Sequence, residues 1–150
     1  IWGETEPQRT WLEGALDTDH RWKIAFGHHP YISNGEHGTA GQYEGIEGLP
    51  IISGQELKDF FDASVCGQVD LYFAGHDHDL QWLEPTCGTH VIVSGAGAKT
   101  RSLGEGEQPT RFEIGDTRGF LWVEIADDTL TGVFFDSDGA VLYQDTITKD

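Results

Sequence analysis

Two histidines separated by one residue directly follow a short apolar run, in the sequence Gly75-His76-Asp77-His78. Imidazole nitrogens are common ligands of transition metals, and two histidines at this spacing can bind one ion or the two ions of a pair. A second motif, Gly27-His28-His29-Pro30, also follows an apolar run. Each motif alone is more typical of an ordinary surface turn. Together they indicate a metal site, provided that the fold brings the two runs side by side.

A further histidine, His37, follows Glu36 within the glycine-rich stretch from Tyr31 to Pro50. The stretch has no sustained periodicity and predicts an irregular loop, and loops of such length inside a domain are often functional. Imidazole titrates near neutrality, so His37 could act as a general acid or donate a hydrogen bond to a phosphate oxygen. The alternative is that His37 is a solvated loop residue.

Two predicted strands with a helix between them carry the histidine motifs. The runs Trp22 to Phe26 and Val69 to Ala74 are typical of buried strands, and each ends in a glycine-histidine pair. Between them, an S-x-x-E capping box at Ser53 and Glu56 predicts the start of a helix, and another helix is predicted over Thr5 to Leu16. This order predicts a right-handed crossover with parallel strands. Both glycine-histidine pairs are therefore expected at the carboxyl edge of one sheet, where open α/β folds place their sites.

The rest of the chain predicts an antiparallel continuation of the fold. Short apolar runs are separated by turns such as Ala126 to Thr129 and Ser137 to Ala140. The stretch Gly104 to Gly119 is charged and contains several glycines, so it is interpreted as a loop. The predicted strands are Asp79 to Leu83, His90 to Ser94, Phe120 to Ile125, Thr129 to Phe135 and Val141 to Thr146.

The composition restricts the classes of function. A length of 150 residues with a hydrophobic fraction of 37% suffices for one packed domain and argues against disorder. The formal net charge of −17 disfavours nucleic acid and acidic lipid surfaces as partners. No run approaches the roughly 20 apolar residues of a membrane span. An anionic substrate would therefore need strong local positive charge, for which a bound metal cation is the natural candidate.

The two cysteines, Cys66 and Cys87, leave two alternatives open. Their spacing does not form a CxxC metal or redox motif. A bridge between them would imply an oxidising compartment, and two free thiols are equally compatible with the sequence. The chain contains no methionine, even at position 1, which predicts that it begins inside a longer protein or after processing.

The histidine motifs and their flanking strands resemble a known family. The chain is similar to the C-terminal half of calcineurin-like metallophosphoesterases, and most similar to purple acid phosphatases of the small, tartrate-resistant type. The resemblance is carried by AFGHHPYISNGEHGT (Ala25 to Thr39), DLYFAGHDHDLQWL (Asp70 to Leu83) and VIVSGAGAKT (Val91 to Thr100), and more weakly by Gly119 to Gly139. It implies an α/β fold class, the C-terminal half of a four-layer α/β/β/α sandwich. Residues 1–150 would form one βαβ unit followed by mostly antiparallel strands, and the N-terminal half of the domain would lie outside this chain.

The resemblance also implies a dinuclear metal centre, in which iron is accompanied by iron, zinc or manganese. By position in the motifs, His28 and His76 match the ligands of the divalent ion. His78 matches the ligand of the ferric ion.

Other residues of the motifs are assigned roles around the metals. His37 matches the histidine that contacts substrate, with Glu36 as its neighbour. His29 stands where close relatives often have tyrosine, so it is not expected to be a ligand. Asp77 and Asp79 are expected to orient loops or ligands through hydrogen bonds.

Several ligand motifs of the family are absent from the sequence. The motifs D-x-G, G-D-x-x-Y and G-N-H-[DE] occur nowhere in the chain, and Gly115-Asp116-Thr117-Arg118 resembles one of them only superficially. We therefore expect the remaining ligands in an upstream segment of the same gene product or in another chain. The run Trp22 to Phe26 would otherwise expose an unpaired apolar edge, which also makes self-association an alternative.

The activity that the resemblance implies is hydrolysis of small phosphomonoesters by attack of a metal-bound hydroxide. Two alternatives stay open: a phosphodiesterase or nucleotidase of the same fold, and a catalytically silent half-domain that binds at most one ion. Purple acid phosphatases are generally exported, which predicts an extracellular or periplasmic location.

Overall fold

The chain forms two β-sheets, with two helices packed against the larger one. A computed structural model describes residues 5–45 and 52–149, so the end of the predicted 31–50 loop lies outside the described residues. The helices are α1 (Glu6–Leu16) and α2 (Gln55–Ser64), and the strands are β1 (Ile24–Phe26), β2 (Leu71–Ala74), β3 (Leu80–Leu83), β4 (His90–Ser94), β5 (Thr110–Ile114), β6 (Gly119–Ala126), β7 (Thr129–Asp136) and β8 (Val141–Thr148). The larger sheet has the order β1-β2-β4-β3-β5 and the smaller one the order β6-β7-β8.

The predicted βαβ unit is confirmed by the pairing of β1 and β2. The two strands are parallel neighbours in which Ala25 lies opposite Tyr72, and α2 lies in the connection between them. Strand β4 runs parallel to β2 on its other side. The carboxyl ends of three strands therefore meet at one edge of the sheet, where Gly27, Gly75 and Gly95 follow them.

The alternation of side chains along β2 separates two apolar cores. Tyr72 and Ala74 belong to the core shared with both helices, whereas Leu71 belongs to the core between the two sheets. The second core contains fully buried Trp82 of β3 and Phe134 of β7. Both helices contribute to the first core. The described residues thus form three of the four predicted layers, helix, sheet and sheet.

The topology corrects two predictions about strands. Residues 104–119 were predicted to be a loop, but they include β5, which pairs antiparallel with β3. The prediction failed because charged Arg111 and Glu113 alternate with Phe112 and Ile114, which pack against the core between the sheets. Strand β4 was predicted within an antiparallel continuation and instead runs parallel to β2, because it inserts between β2 and β3.

The predicted capping box at the start of α2 is also wrong. The residue before the helix is Gly54, with a φ of 73°, and no side chain caps the helix. The Ser53 hydroxyl has no hydrogen-bond partner among the described residues. Its carbonyl accepts hydrogen bonds from the backbone N–H groups of Gly41 and Tyr43 at 2.8 and 3.1 Å. The backbone of Ser53 therefore anchors the loop that carries His37, instead of Ser53 and Glu56 closing a capping box.

Strand β1 lies at the edge of the sheet as the structure describes it. It pairs with β2 on one side, and the Phe26 side chain is 77% exposed. The prediction of a buried strand is therefore wrong at this residue. The predicted exposed apolar edge is confirmed.

The disulfide alternative is settled by the pairing of Cys66 with Cys87, which leaves neither thiol free. The bond joins the segment after α2 to the turn before β4. Closing a loop of 21 residues stabilises the fold by about 3 kcal/mol in the chain-entropy model. None of the helices in the described residues has the length and apolar character needed to cross a membrane.

We expect the stability of the fold to fall in mild acid through His90, the first residue of β4. Burial and the positive charge of Arg111 lower the pKa of His90 below 6.5, against the opposing carboxylates of Glu84, Asp145 and Asp70. The unfolded chain then binds a proton that the folded chain does not, so stability decreases as pH falls below 6.5.

The contribution of His90 is obtained by comparing the pH dependence of the free energy of unfolding between the protein and its His90→Gln variant. Urea unfolding at pH 7 and at pH 5 should give a smaller pH dependence for the variant, with a limit of about 1.4 kcal/mol per pH unit for one proton. An equal pH dependence of the two proteins would contradict the expectation.

Candidate metal centre

Three histidines converge at the carboxyl edge of the larger sheet. One ring nitrogen of each of His28, His29 and His76 lies within 4.8 Å of the other two. Nδ1 of His76 and Nε2 of His28 are 3.1 Å apart. The backbone N–H of Gly75 donates to the carbonyl of His28 at 3.1 Å, so the hydrogen bonds between β1 and β2 continue into the site. Parallel pairing of the two strands therefore places the histidines together.

Local backbone geometry sets the orientation of the cluster. His76 has a φ of 63°, a left-handed conformation that is uncommon for residues other than glycine. The chain turns sharply there, and the N–H of Asp77 donates to the carbonyl of Gly75 at 2.8 Å. After β1, the His29 carbonyl accepts a hydrogen bond from the hydroxyl of Tyr72, a residue of β2, at 2.8 Å. Gly27 is required for this contact, because a Cβ there would lie 1.9 Å from the Tyr72 hydroxyl.

Burial and the neighbouring rings favour the neutral form of two imidazoles of the cluster, those of His29 and His76. Burial and the neighbouring His29, His37 and His28 rings lower the pKa of His76 to about 4. Burial and the adjacent His28 likewise lower the pKa of His29. Neutral imidazole is the form that binds metals.

The donor set fits a transition-metal ion. Imidazole nitrogen suits zinc, iron, copper and nickel better than magnesium or calcium. Nearby, Nδ1 of His78 is buried and has no hydrogen-bond partner within the described part of the chain. An unsatisfied buried nitrogen costs free energy, and a metal ion is one group that would satisfy it.

His37 lies directly beside the cluster. The centre of its ring is 4.3 Å from that of His76. Its Nδ1 contacts the carboxylate of Glu44, and its backbone N–H donates to Oδ1 of Asp77 at 3.1 Å. The loop that carries His37 is thus fixed to the turn that carries His76.

Asp77 is the centre of this attachment. It is fully buried, and its Oδ2 accepts a hydrogen bond from the Ser33 hydroxyl. A Cβ at Gly35 would lie 2.4 Å from the Asp77 carboxyl carbon, so a glycine is needed for the loop to approach so closely. Asp77 therefore attaches the loop to the turn that carries His76 through hydrogen bonds.

Asp79 contributes a second polar contact beneath the site. Its Oδ1 accepts a hydrogen bond from Nε2 of Gln81 at 2.8 Å. Burial raises the pKa of Asp79 to about 7. Gln81 in turn accepts a hydrogen bond from the backbone N–H of Asn34 at 2.8 Å.

Comparison with known proteins agrees with the predicted family. Purple acid phosphatase 3 of Arabidopsis thaliana is 30% identical over 155 residues, which cover 95% of this chain and 38% of the relative. Tartrate-resistant acid phosphatase type 5 of Oryctolagus cuniculus is 28% identical, over 95% of this chain and 42% of its own length. The structure of GAP50, the anchor in the inner membrane complex of Plasmodium, superimposes with a TM-score of 0.72 at 20% identity, over 97% of this chain and 42% of that one.

The chain is similar to the purple acid phosphatases, which are metallophosphoesterases. It spans 38 to 42% of the length of these curated relatives and corresponds to the C-terminal half of their fold. The predicted α/β fold class is confirmed as well. No family model matches the chain.

The structure brings together some of the predicted site residues and separates others. His28 and His76 converge as predicted, and His37 lies beside them. His78 lies outside the three-histidine cluster found in the described residues, and which ion each histidine binds stays a prediction. Glu36 is exposed and pairs with Arg101, whose guanidinium lowers the pKa of that carboxyl.

Two residues of the site, Tyr43 and Glu44, were missed from the sequence. His29 was predicted to lie around the metals without being a ligand, and one of its ring nitrogens lies in the cluster. Tyr43 packs its ring 5.9 Å from that of His29 and donates its hydroxyl to the Pro30 carbonyl. The carboxylate of Glu44 contacts Nδ1 of His37, and the backbone of Glu44 has a left-handed φ of 56°. No motif spacing signals these contacts, because each depends on how the glycine-rich loop folds back.

Proposed function

We propose that the protein containing this chain hydrolyses phosphate monoesters at a metal centre to which His28, His29 and His76 contribute ligands. The observation that carries the proposal is the convergence of three imidazoles with a further histidine, His37, at their side. The names of the relatives support a phosphatase rather than another use of a histidine cluster. The family resemblance supports two ions, iron with iron, zinc or manganese, and His78 as a ligand of the second.

A metal ion bound at these histidines supplies the positive charge that neutralises phosphate oxygens during hydrolysis. The chain as a whole is strongly acidic, with a formal net charge of −17, so an anionic substrate would gain from this local positive charge. Its diffuse negative charge favours small phosphomonoesters over nucleic acid.

The proposed role of His37 is to give a proton to the leaving alcohol. The contact of Nδ1 with Glu44 occupies one ring nitrogen and leaves Nε2 to exchange a proton with substrate. General acids of this kind contribute about 10²- to 10⁴-fold to rates. The backbone N–H of His37 donates a hydrogen bond to Asp77, which lies next to His76 in the sequence. This contact holds His37, the proposed general acid, at a fixed distance from the proposed metal ligands.

We further propose that the site is completed by a segment outside these 150 residues. The three-histidine cluster in the described residues includes no carboxylate, whereas a pair of metal ions needs anionic bridging ligands. The exposed edge of β1 offers a place where the rest of the domain can pair. The disulfide between Cys66 and Cys87 supports export to an extracellular or periplasmic compartment.

The test is elemental analysis of the complete protein after incubation with iron and zinc, combined with assays of p-nitrophenyl phosphate and bis(p-nitrophenyl) phosphate. We expect two metals per chain and preferential turnover of the monoester. Preferential turnover of the diester would replace the proposal with a phosphodiesterase. One metal or none, without turnover of either compound, would indicate a catalytically silent module.

A further inference from the structure

A cavity of about 680 Å³ opens beside His37, between the glycine-rich loop and the segment 104–108. Among the residues that the structure describes, those lining it are His37, glycines and other polar residues, including Ser33, Thr39 and Gln42. No aliphatic or aromatic hydrocarbon side chain of the described residues lines the cavity. A space of this kind suits a hydrophilic group better than an apolar one.

Asn34 joins the two walls of this cavity. Its side chain is bound to the backbone of Gln108 in both directions: Oδ1 accepts from the N–H at 2.7 Å, and Nδ2 donates to the carbonyl at 2.9 Å. Nδ2 also donates to Oε2 of Glu113 at 2.7 Å. The backbone carbonyl of Asn34 accepts a hydrogen bond from the N–H of Gly104 at 2.7 Å. The residue is 3% exposed, so the segment 104–108 is attached through a buried amide.

The close approach of the two walls requires glycine in the segment. A Cβ at Gly104 would lie 2.5 Å from the Gly35 carbonyl oxygen, and one at Gly106 would lie 2.6 Å from Oδ1 of Asn34. The same buried network extends from Asn34 through Gln81 to Ser33, since Gln81 also donates to the Ser33 hydroxyl oxygen at 2.9 Å. The outer wall of the cavity and the loop of His37 therefore have a common support.

We propose that this cavity receives the alcohol portion of the phosphomonoester, and that Asn34 is a positioning residue that holds its outer wall. The inference rests on the proposed function, because His37 must face the bond that breaks. The polar lining selects hydrophilic alcohols. Glu105 and Glu107, both exposed on the outer wall, disfavour alcohols that carry a second negative charge.

The first experiment compares two esters in the complete, metal-loaded protein and its Asn34→Ala variant. Methyl phosphate has an alcohol too small to fill the cavity, whereas glycerol 2-phosphate has a hydrophilic alcohol that can enter it. The variant should raise the KM for glycerol 2-phosphate about tenfold, the equivalent of one or two hydrogen bonds, and leave kcat and the methyl phosphate KM nearly unchanged. A merely structural role would change both esters alike. Gln144→Ala, on the exposed side of β8, is the matched control.

A hydrogen-exchange measurement tests the positioning role without turnover. The Gln108 N–H is bound to the Asn34 side chain, and the Gly104 N–H is bound to its backbone carbonyl. Asn34→Ala should therefore speed exchange at Gln108 and leave Gly104 protected. Equal protection of Gln108 in both proteins would overturn the role of Asn34.

The charge selection is tested with the double variant Glu105→Gln/Glu107→Gln at low ionic strength, where exposed charges act most strongly. The ratio of kcat/KM for 2-phosphoglycerate to that for glycerol 2-phosphate should be several-fold higher in the double variant than in the parent protein. The intrinsic reactivities of the two esters are the same for both proteins and therefore cancel. If the protein turns over neither methyl phosphate nor glycerol 2-phosphate, the proposed function and this inference both fail. Only this inference fails if the protein turns over both esters, Asn34→Ala leaves the KM for glycerol 2-phosphate relative to that for methyl phosphate unchanged, and the glutamate double variant leaves the 2-phosphoglycerate to glycerol 2-phosphate ratio of kcat/KM unchanged.

Discussion

Replacing His76 with asparagine is expected to remove metal from the site and with it the hydrolysis of phosphate esters. His76 lies at the centre of the histidine cluster, with ring centres of His29, His37 and His28 at 4.3, 4.3 and 4.9 Å. Loss of residues that merely support metal ligands costs about 10- to 100-fold in affinity, so loss of a ligand should cost at least about 100-fold. Asparagine tolerates the left-handed backbone of this residue, so the turn should persist.

The matched control is His20→Asn, because His20 is an exposed histidine in the turn before β1. Metal content by elemental analysis and kcat/KM for p-nitrophenyl phosphate should stay at the parent level in the control. Both should fall together in His76→Asn. An unchanged metal content in His76→Asn would show that the ion binds elsewhere, and would remove the basis for the proposed function.

The part of the site that could be predicted from sequence is the part set by strand pairing. The runs that precede Gly27 and Gly75 are short and apolar, and a helix separates them, so a parallel crossover brings His28 and His76 to one edge. This conclusion needs only local patterns and a general topological rule. For the same reason, the boundaries of β4, β6 and β7 agree closely with the predicted strands.

The remaining features depend on contacts between distant residues, which no local pattern encodes. Ser53 was predicted to cap α2, yet its carbonyl binds the loop that carries His37. The alternation of Phe112 and Ile114 was hidden by charged neighbours, and it becomes meaningful only when β3 lies beside it. His29 joins the cluster because the Tyr72 hydroxyl fixes its carbonyl from the adjacent strand. Such side-chain to backbone contacts determine the finer geometry of the site.

The turn between His76 and His78 should be equally sensitive to a single methyl group on the neighbouring segment. Gly95 follows β4, and its N–H donates to the Asp79 carbonyl at 3.1 Å. A Cβ at Gly95 would lie 1.8 Å from the Asp77 carbonyl oxygen and 3.0 Å from its carbon. Because these are backbone atoms, Gly95→Ala must displace the turn itself. We expect the variant to lose about 1 to 3 kcal/mol of stability.

The larger effect of Gly95→Ala should be on activity, because a displacement of about 1 Å at a catalytic site can cost about 100-fold in rate. The control is Gly97→Ala, two residues away, where a Cβ would have no atom within 4 Å. Urea unfolding, metal content and kcat/KM for p-nitrophenyl phosphate should be near the parent values for Gly97→Ala and all reduced for Gly95→Ala. If Gly95→Ala loses stability but keeps parent activity, the turn of Asp77 does not position the metal ligands. A parallel loss of metal and activity would show that the close packing of β4 against this turn sets the geometry of the site.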